Sequence, residues 1–151
     1  IPVVAAGGIA DGKGLAAALS LGAYGVQMGT RFIATKEAQF HPVYKNAVIE
    51  ATDEATMIIG RPYQMLRRVF KNVYAGYLRE LEESGADPGR FKKLTSEAHH
   101  ERGALQGDME HGFINGGQIA GLIEDCPSVA QLLEEMVKEA QAVLTRSMAR
   151  L

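Results

Sequence analysis

Two short apolar runs, each closed by a glycine turn and separated by one helix-forming stretch, set the strongest constraint on how this chain folds. Pro2 to Ala6 form the first run, which ends in Gly7-Gly8, and Gly25 to Met28 form the second, which ends in Gly29. Runs of this length bounded by glycine suit strands buried on both faces. Between them Asp11 offers a helix N-cap, Lys13 to Leu21 is rich in Ala and Leu, and Gly22 stands where a helix stops. Residues 1 to 30 therefore spell a βαβ unit whose strands run parallel. In such a unit both glycine turns face the same end of the sheet.

Two turns of this kind, after successive strands, make a candidate anion site. Glycine lets the main chain approach a ligand closely, and unpaired N–H groups with a helix dipole attract negative charge. In a (β/α)8 barrel the loops after strands seven and eight commonly hold a phosphate. Either turn alone reads as an ordinary turn or cap, whereas the pair, Gly8 with Gln27-Met28-Gly29-Thr30, favours a phosphate site. Neither turn is a dinucleotide fingerprint or a Walker loop, because GGIADG lacks the G-x-G-x-x-G spacing and no acidic residue follows at the required distance.

Beyond Phe32 the pattern changes. His41 to Ala51 reads as a helix with Pro42 in its first turn, and Thr56 to Ile59 as a short strand. Pro62 to Glu83 reads as one long amphipathic helix, with Leu66, Val69, Phe70, Val73, Tyr74, Tyr77, Leu78 and Leu81 on one face. A short helix is expected near Phe91 to Ala98, and a glycine-rich segment follows from Gly112 to Gly121. Pro127 opens a last helix whose apolar stripe is Val129, Leu132, Leu133, Met136, Val137, Ala140, Val143 and Leu144.

Composition excludes several function classes. With 46% apolar and 23% charged residues the chain can build a core. Sixteen Lys plus Arg against eighteen Asp plus Glu leave a net charge of −2, without the basic excess of a nucleic-acid-binding domain or a polybasic membrane patch. No apolar run approaches a membrane span, and no signal peptide is visible. The single cysteine, Cys126, cannot form an internal disulfide or a cysteine-based metal site, so a reducing, cytoplasmic setting is the default. The chain opens at Ile1 on a strand already in progress, which suggests the C-terminal piece of a longer protein.

PVVAAGGIADG, ALSLGAYGVQMGTRFIAT, HPVYKNAVIEA and GDMEHGFINGGQIAGLI together resemble the nitronate monooxygenase family, over nearly the whole chain and in order. The resemblance implies an α/β fold: the C-terminal part of an FMN-binding (β/α)8 TIM barrel with an added, smaller, mainly helical domain. It divides the chain into residues 1–35 (last barrel units with the phosphate turns), 36–126 (added substrate-side domain) and 127–151 (closing helix). It implies FMN as cofactor, its phosphate met by Gly8 and by Gln27, Met28, Gly29 and Thr30. Gln118, in GGQIAGL, falls on the substrate side, after Phe113 to Gly116, where the family more often has smaller or Met-Ala-type residues. The family's histidine base matches none of His41, His99, His100 or His111 and is expected upstream, since a whole barrel takes about 250 residues.

The implied activity is oxidation of alkyl nitronates with oxygen, on a small-molecule substrate, and a homodimer is compatible with it. Two alternatives stay open. One is an NAD(P)H-dependent flavin reductase acting on a quinone or an enoyl thioester. The other is a phosphate-binding barrel enzyme without flavin. The remaining polar residues read as structural: His99 and His100 as exposed histidines, Arg67-Arg68 as a solvated helix face, Tyr63, Tyr74 and Tyr77 as core and rim aromatics, and Cys126 as a buried, inert thiol. His111, beside the glycine turn, is a minor candidate for the pocket, and no metal site is expected.

Overall fold

The computed structural model describes residues 1–150. The expected βαβ unit is present. Strand β1 (Val4–Ala6) pairs in parallel with β2 (Gly25–Gln27), in the register Val4 to Gly25 and Ala6 to Gln27. Helix α1 (Gly12–Ser20) crosses between them. The Asp11 carboxylate caps it by accepting from the Gly14 N–H at 2.8 Å, and Gly22, at φ +93°, follows its end in the left-handed conformation that glycine adopts most easily. A four-residue helix α2 (Thr30–Ile33) comes directly after the second turn. Gly29 is its N-cap, and no side chain caps it among the described residues.

The strands are not buried on both faces as their composition suggested. Val3 and Val4 are 60% and 56% exposed, and β1 and β2 are the only members of their sheet among the described residues. One face of the sheet packs on Ile9, Ala18, Leu132 and Met136, while the other has no partner among the described residues.

Helix α7 (Val129–Met148) closes the unit from behind. Ser128 and Gln131 form a reciprocal capping box at its start. Its buried seam is narrower than the sequence stripe: Leu132, Met136 and Ala140 are buried, each one turn after the last, while Leu133 and Val137 are largely exposed. The seam fits α1 because of Gly12. A Cβ at Gly12 would stand 2.5 Å from both the Met136 carbonyl oxygen and the Glu139 Cβ. The Glu139 carboxylate accepts from the Gly12 N–H at 2.8 Å, so the last helix supplies an acceptor to the first turn of the first helix. Gly12→Ala should therefore destabilise the fold by about 2 kcal/mol through helix separation, although alanine is the better helix former. A urea unfolding midpoint equal to or above that of the parent would disprove the tight contact.

The middle of the chain departs most from expectation. Pro62 to Glu83 is not one helix. Arg67–Phe70 is strand β4, antiparallel to β3 (Thr56–Ile59), and only Val73–Glu83 is helical, as α4. Two features explain the split. Asn72 caps α4 by accepting from the Ala75 N–H at 2.7 Å, which starts the helix eleven residues late. Val69 and Phe70, which looked like helical neighbours, face opposite ways on a strand lying between two apolar clusters. Val69 joins Ile59, Leu78, Phe91 and Phe113, and Phe70 joins Tyr44, Val48, Ile114 and Ile123. Leu66, the supposed start of the apolar face, is exposed.

Helix α3 (Pro42–Ile49) matches its prediction. The helix expected near Phe91 to Ala98 is two helices, α5 (Pro88–Leu94) and α6 (Glu97–Gln106), because the chain breaks at Thr95-Ser96. Among the described residues no helix is long and apolar enough to cross a membrane.

Candidate functional site

The parallel register brings the two glycine turns to one end of the sheet. Ala6 pairs with Gln27, so Gly7-Gly8 and Met28-Gly29 leave adjacent strands side by side, roughly 5 Å apart by the usual strand spacing. Gly7 and Gly8 both have positive φ, +82° and +72°. A Cβ on Gly7, Gly8 or Gly29 would meet no atom within 4 Å, so all three present main chain to open space. The amides of Gly8 and Gly29 make no hydrogen bond to other described residues. Gln27 and Gly29 are exposed, and the half-buried Met28 packs against the cluster of Ile9, Ala18, Leu132 and Met136. This is a shallow rim of main-chain donors with room for an anion between them. Its attraction comes from individual amides, because a helix as short as α2 has little dipole to add.

The third expected element lies against this rim. Gln118 opens a 3₁₀ turn (Gln118–Leu122), and its side chain is exposed and unpartnered among the described residues. The residue before it donates to the residue that follows the second glycine turn: Gly117 N–H to Thr30 Oγ1, 2.8 Å. Upstream, the Gly112 to Gly117 segment is fixed by β4 and its neighbours. Phe70 N–H donates to the Ile114 carbonyl, Gly116 N–H to the Arg68 carbonyl, and the Tyr44 hydroxyl to the Asn115 carbonyl. Burial pushes the Tyr44 hydroxyl pKa well up, so it stays a donor. Gly116 has no room for a side chain, since a Cβ there would stand 2.2 Å from the Phe70 ring.

Sequence reasoning did not single out Arg31 or Asp125. Arg31 is almost wholly buried and donates to the Asp125 carboxylate at 2.7 Å and to its carbonyl at 3.3 Å. Nothing in the spacing of residues 94 apart announces that pair.

The histidines correct their sequence reading. His99 and His100 are half-buried among aromatic rings, not exposed. His99 stacks on Tyr74 with ring centroids 5.5 Å apart and accepts or donates at Ser96 Oγ. Burial and the nearby Arg102 charge lower its pKa. Burial likewise raises the Tyr74 pKa to about 12, helped by Tyr77. His100 lies between Tyr44 and Phe113, its Nε2 buried without a partner among the described residues. His111 is exposed and paired with Asp108 at 3.1 Å. Arg67 covers the Phe113 ring at 5.4 Å from β4, not from a solvated helix face. Tyr77 is partly exposed, and Cys126 is half-buried rather than buried. Among the described residues no group of three or more His, Cys, Asp or Glu could hold a metal ion.

The sequence profile described as nitronate monooxygenase matches residues 1–139. Nitronate monooxygenase npaC of Metarhizium robertsii is 37% identical over the whole chain, which covers 44% of that protein. A dehydrogenase of Mycobacterium tuberculosis named for (3aS,4S,5R,7aS)-5-hydroxy-7a-methyl-1-oxo-octahydro-1H-indene-4-carboxyl-CoA is 30% identical over 93% of the chain, which covers half of that protein. Among solved structures, FabK from Thermotoga maritima superposes over the whole chain with a TM-score of 0.93 at 38% identity, over 48% of its own length. The chain thus spans half or less of the length of these relatives. Its α/β architecture is that of the C-terminal part of a (β/α)8 barrel with an added, mainly helical segment.

Proposed function

Since the chain belongs to the nitronate monooxygenase family, a family of flavin oxidoreductases, we propose that it forms the cofactor-phosphate side of an FMN-dependent enzyme that oxidises alkyl nitronates with oxygen. The observation that carries the reading is the pair of unpartnered glycine turns, Gly7-Gly8 and Met28-Gly29, at one end of two parallel strands. These turns fit a phosphate. The Gly8 and Gly29 amides donate to no other described residue, and a side chain at Gly7, Gly8 or Gly29 would enter open space.

In this reading the Gly8 and Gly29 amides hold the FMN phosphate, flanked by the main chain of Gln27 and Met28 and by the Thr30 hydroxyl. FMN held there would supply the redox chemistry between substrate and oxygen. Gln118, on a turn whose start Thr30 holds through the Gly117 amide, orients the substrate through its exposed side-chain amide. No residue here is assigned a proton transfer: His111 is held by Asp108, and His99 and His100 are held among rings. Residues 1–35 carry the phosphate turns, 36–126 the substrate side and 127–151 the closing helix, residue 151 lying outside the described residues.

A second reading is an NAD(P)H-dependent flavin reductase acting on a thioester or quinone. The observation favouring it is the likeness to a dehydrogenase named for a carboxyl-CoA substrate. One experiment separates the two. The full-length protein is mixed without oxygen with an alkyl nitronate or with NADH, and the flavin band is followed. Bleaching by nitronate and not by NADH is expected. Rapid bleaching by NADH replaces the first reading with the second, and a colourless protein that takes up no FMN overturns both.

A further inference from the structure

We propose that the Thr30 hydroxyl is a positioning group that couples an anion bound at the Gly8–Gly29 rim to the order of the segment carrying Gln118. The inference rests on the FMN-phosphate reading of that rim and adds a link from it to the substrate side. Thr30 follows Gly29 directly and accepts from the Gly117 N–H at 2.8 Å. A hydroxyl has one proton to donate besides the lone pairs it offers, and the Thr30 proton has no acceptor among the described residues. It is free for an anion held by the neighbouring Gly29 amide.

The contact is built for closeness. A Cβ on Gly117 would stand 2.9 Å from Thr30 Oγ1, so glycine is what lets the main chain at 117 meet the Thr30 side chain this way. The next residue, Arg31, holds the far end of the same segment through Asp125. Two consecutive residues of α2 thus grip residues 117 to 125 at both ends. Upstream of Gly117 the chain is held by β4 and Tyr44 instead. From Gly117 onward its start depends on Thr30.

When the hydroxyl donates to a phosphate, its oxygen becomes a better acceptor, because hydrogen bonds in a chain polarise one another and those to ionised groups are stronger. The Gly117 bond then tightens. Without the anion the hydroxyl rotor is released and the bond weakens.

Amide hydrogen exchange on the full-length protein, with and without saturating FMN, reads this directly, since the Gly117 amide is itself the donor. Exchange at Gly117-Gln118 should slow about tenfold on FMN binding. Thr30→Ser should keep that response. Thr30→Val should lose it at FMN concentrations where the variant is still saturated, with FMN affinity lowered about tenfold. Equal exchange in the free and FMN-bound parent would overturn the coupling. So would an intact response in Thr30→Val, which would mean that the ligand merely shields the turn. A parent that binds no FMN would instead overturn the phosphate reading, and the coupling with it.

Discussion

Gly8→Asp should leave the full-length protein folded and colourless. Gly8 has φ +72° and open space where its Cβ would stand, so a side chain there displaces nothing. The folded state bears only the backbone strain of a left-handed non-glycine residue, about 1–2 kcal/mol. The cofactor meets a larger penalty. A carboxylate about 5 Å from a phosphate charge opposes it by about 3 kcal/mol per charge pair at an effective dielectric of 20. That corresponds to a rise in the FMN dissociation constant of a hundredfold or more. Gly8→Ala isolates the strain and should weaken FMN by about tenfold or less. The measurement is a fluorescence titration of FMN into the apoprotein, with circular dichroism as the control for folding. A Gly8→Asp protein that retains its full flavin complement would remove Gly8 from the phosphate site.

The second large effect is an asymmetry within one ion pair. The Arg31 side chain is 3% exposed, whereas that of its partner Asp125 is 63% exposed. Asp125→Ala leaves a buried guanidinium without a counter-charge, holding only the residue 125 carbonyl at 3.3 Å. Breaking a pair from that side should cost about 3 kcal/mol. Arg31→Met removes the buried charge, keeps most of the apolar stem and lets the Asp125 carboxylate return to water. It should cost about 1 kcal/mol. Urea unfolding of both variants, with unchanged slope, gives the two values. Equal losses would show that the guanidinium reaches water when its partner is gone.

These two predictions also mark what could be read from the residues in order. The βαβ unit was legible because each of its signals is local: an apolar run, Asp11 as cap, Gly22 as stop. Proximity of the two glycine turns followed from parallel pairing alone. Residues 62 to 83 misled because the apolar spacing of three and four that marks a helix also arises when a strand lies between two cores. Val69 and Phe70 are buried in succession on opposite faces of β4, and the local signal that should have moved the helix start was Asn72. The half-burial of His99 and His100 depends on Tyr44, Tyr74 and Phe113, which no spacing rule ties to them. Within the candidate site, Gly8, Gly29 and Gln118 were visible as glycine motifs. The contacts Thr30–Gly117 and Arg31–Asp125 span 87 and 94 residues and could emerge only from the folded chain.

The Glu139 carboxylate on the Gly12 amide has a bearing on how the chain is made. It joins residues 127 apart, and the apolar seam behind it, Leu132, Met136 and Ala140, belongs to the same late helix. A ribosome adding 5–20 residues per second needs roughly 6–25 seconds to travel that distance. During that interval the first crossover helix has emerged while its mate is still unsynthesised, and Ile9 and Ala18 face solvent. Docking of the βαβ unit on its closing helix is therefore a late, nonlocal event, and truncations that stop short of Glu139 should be substrates for chaperones rather than smaller versions of the fold.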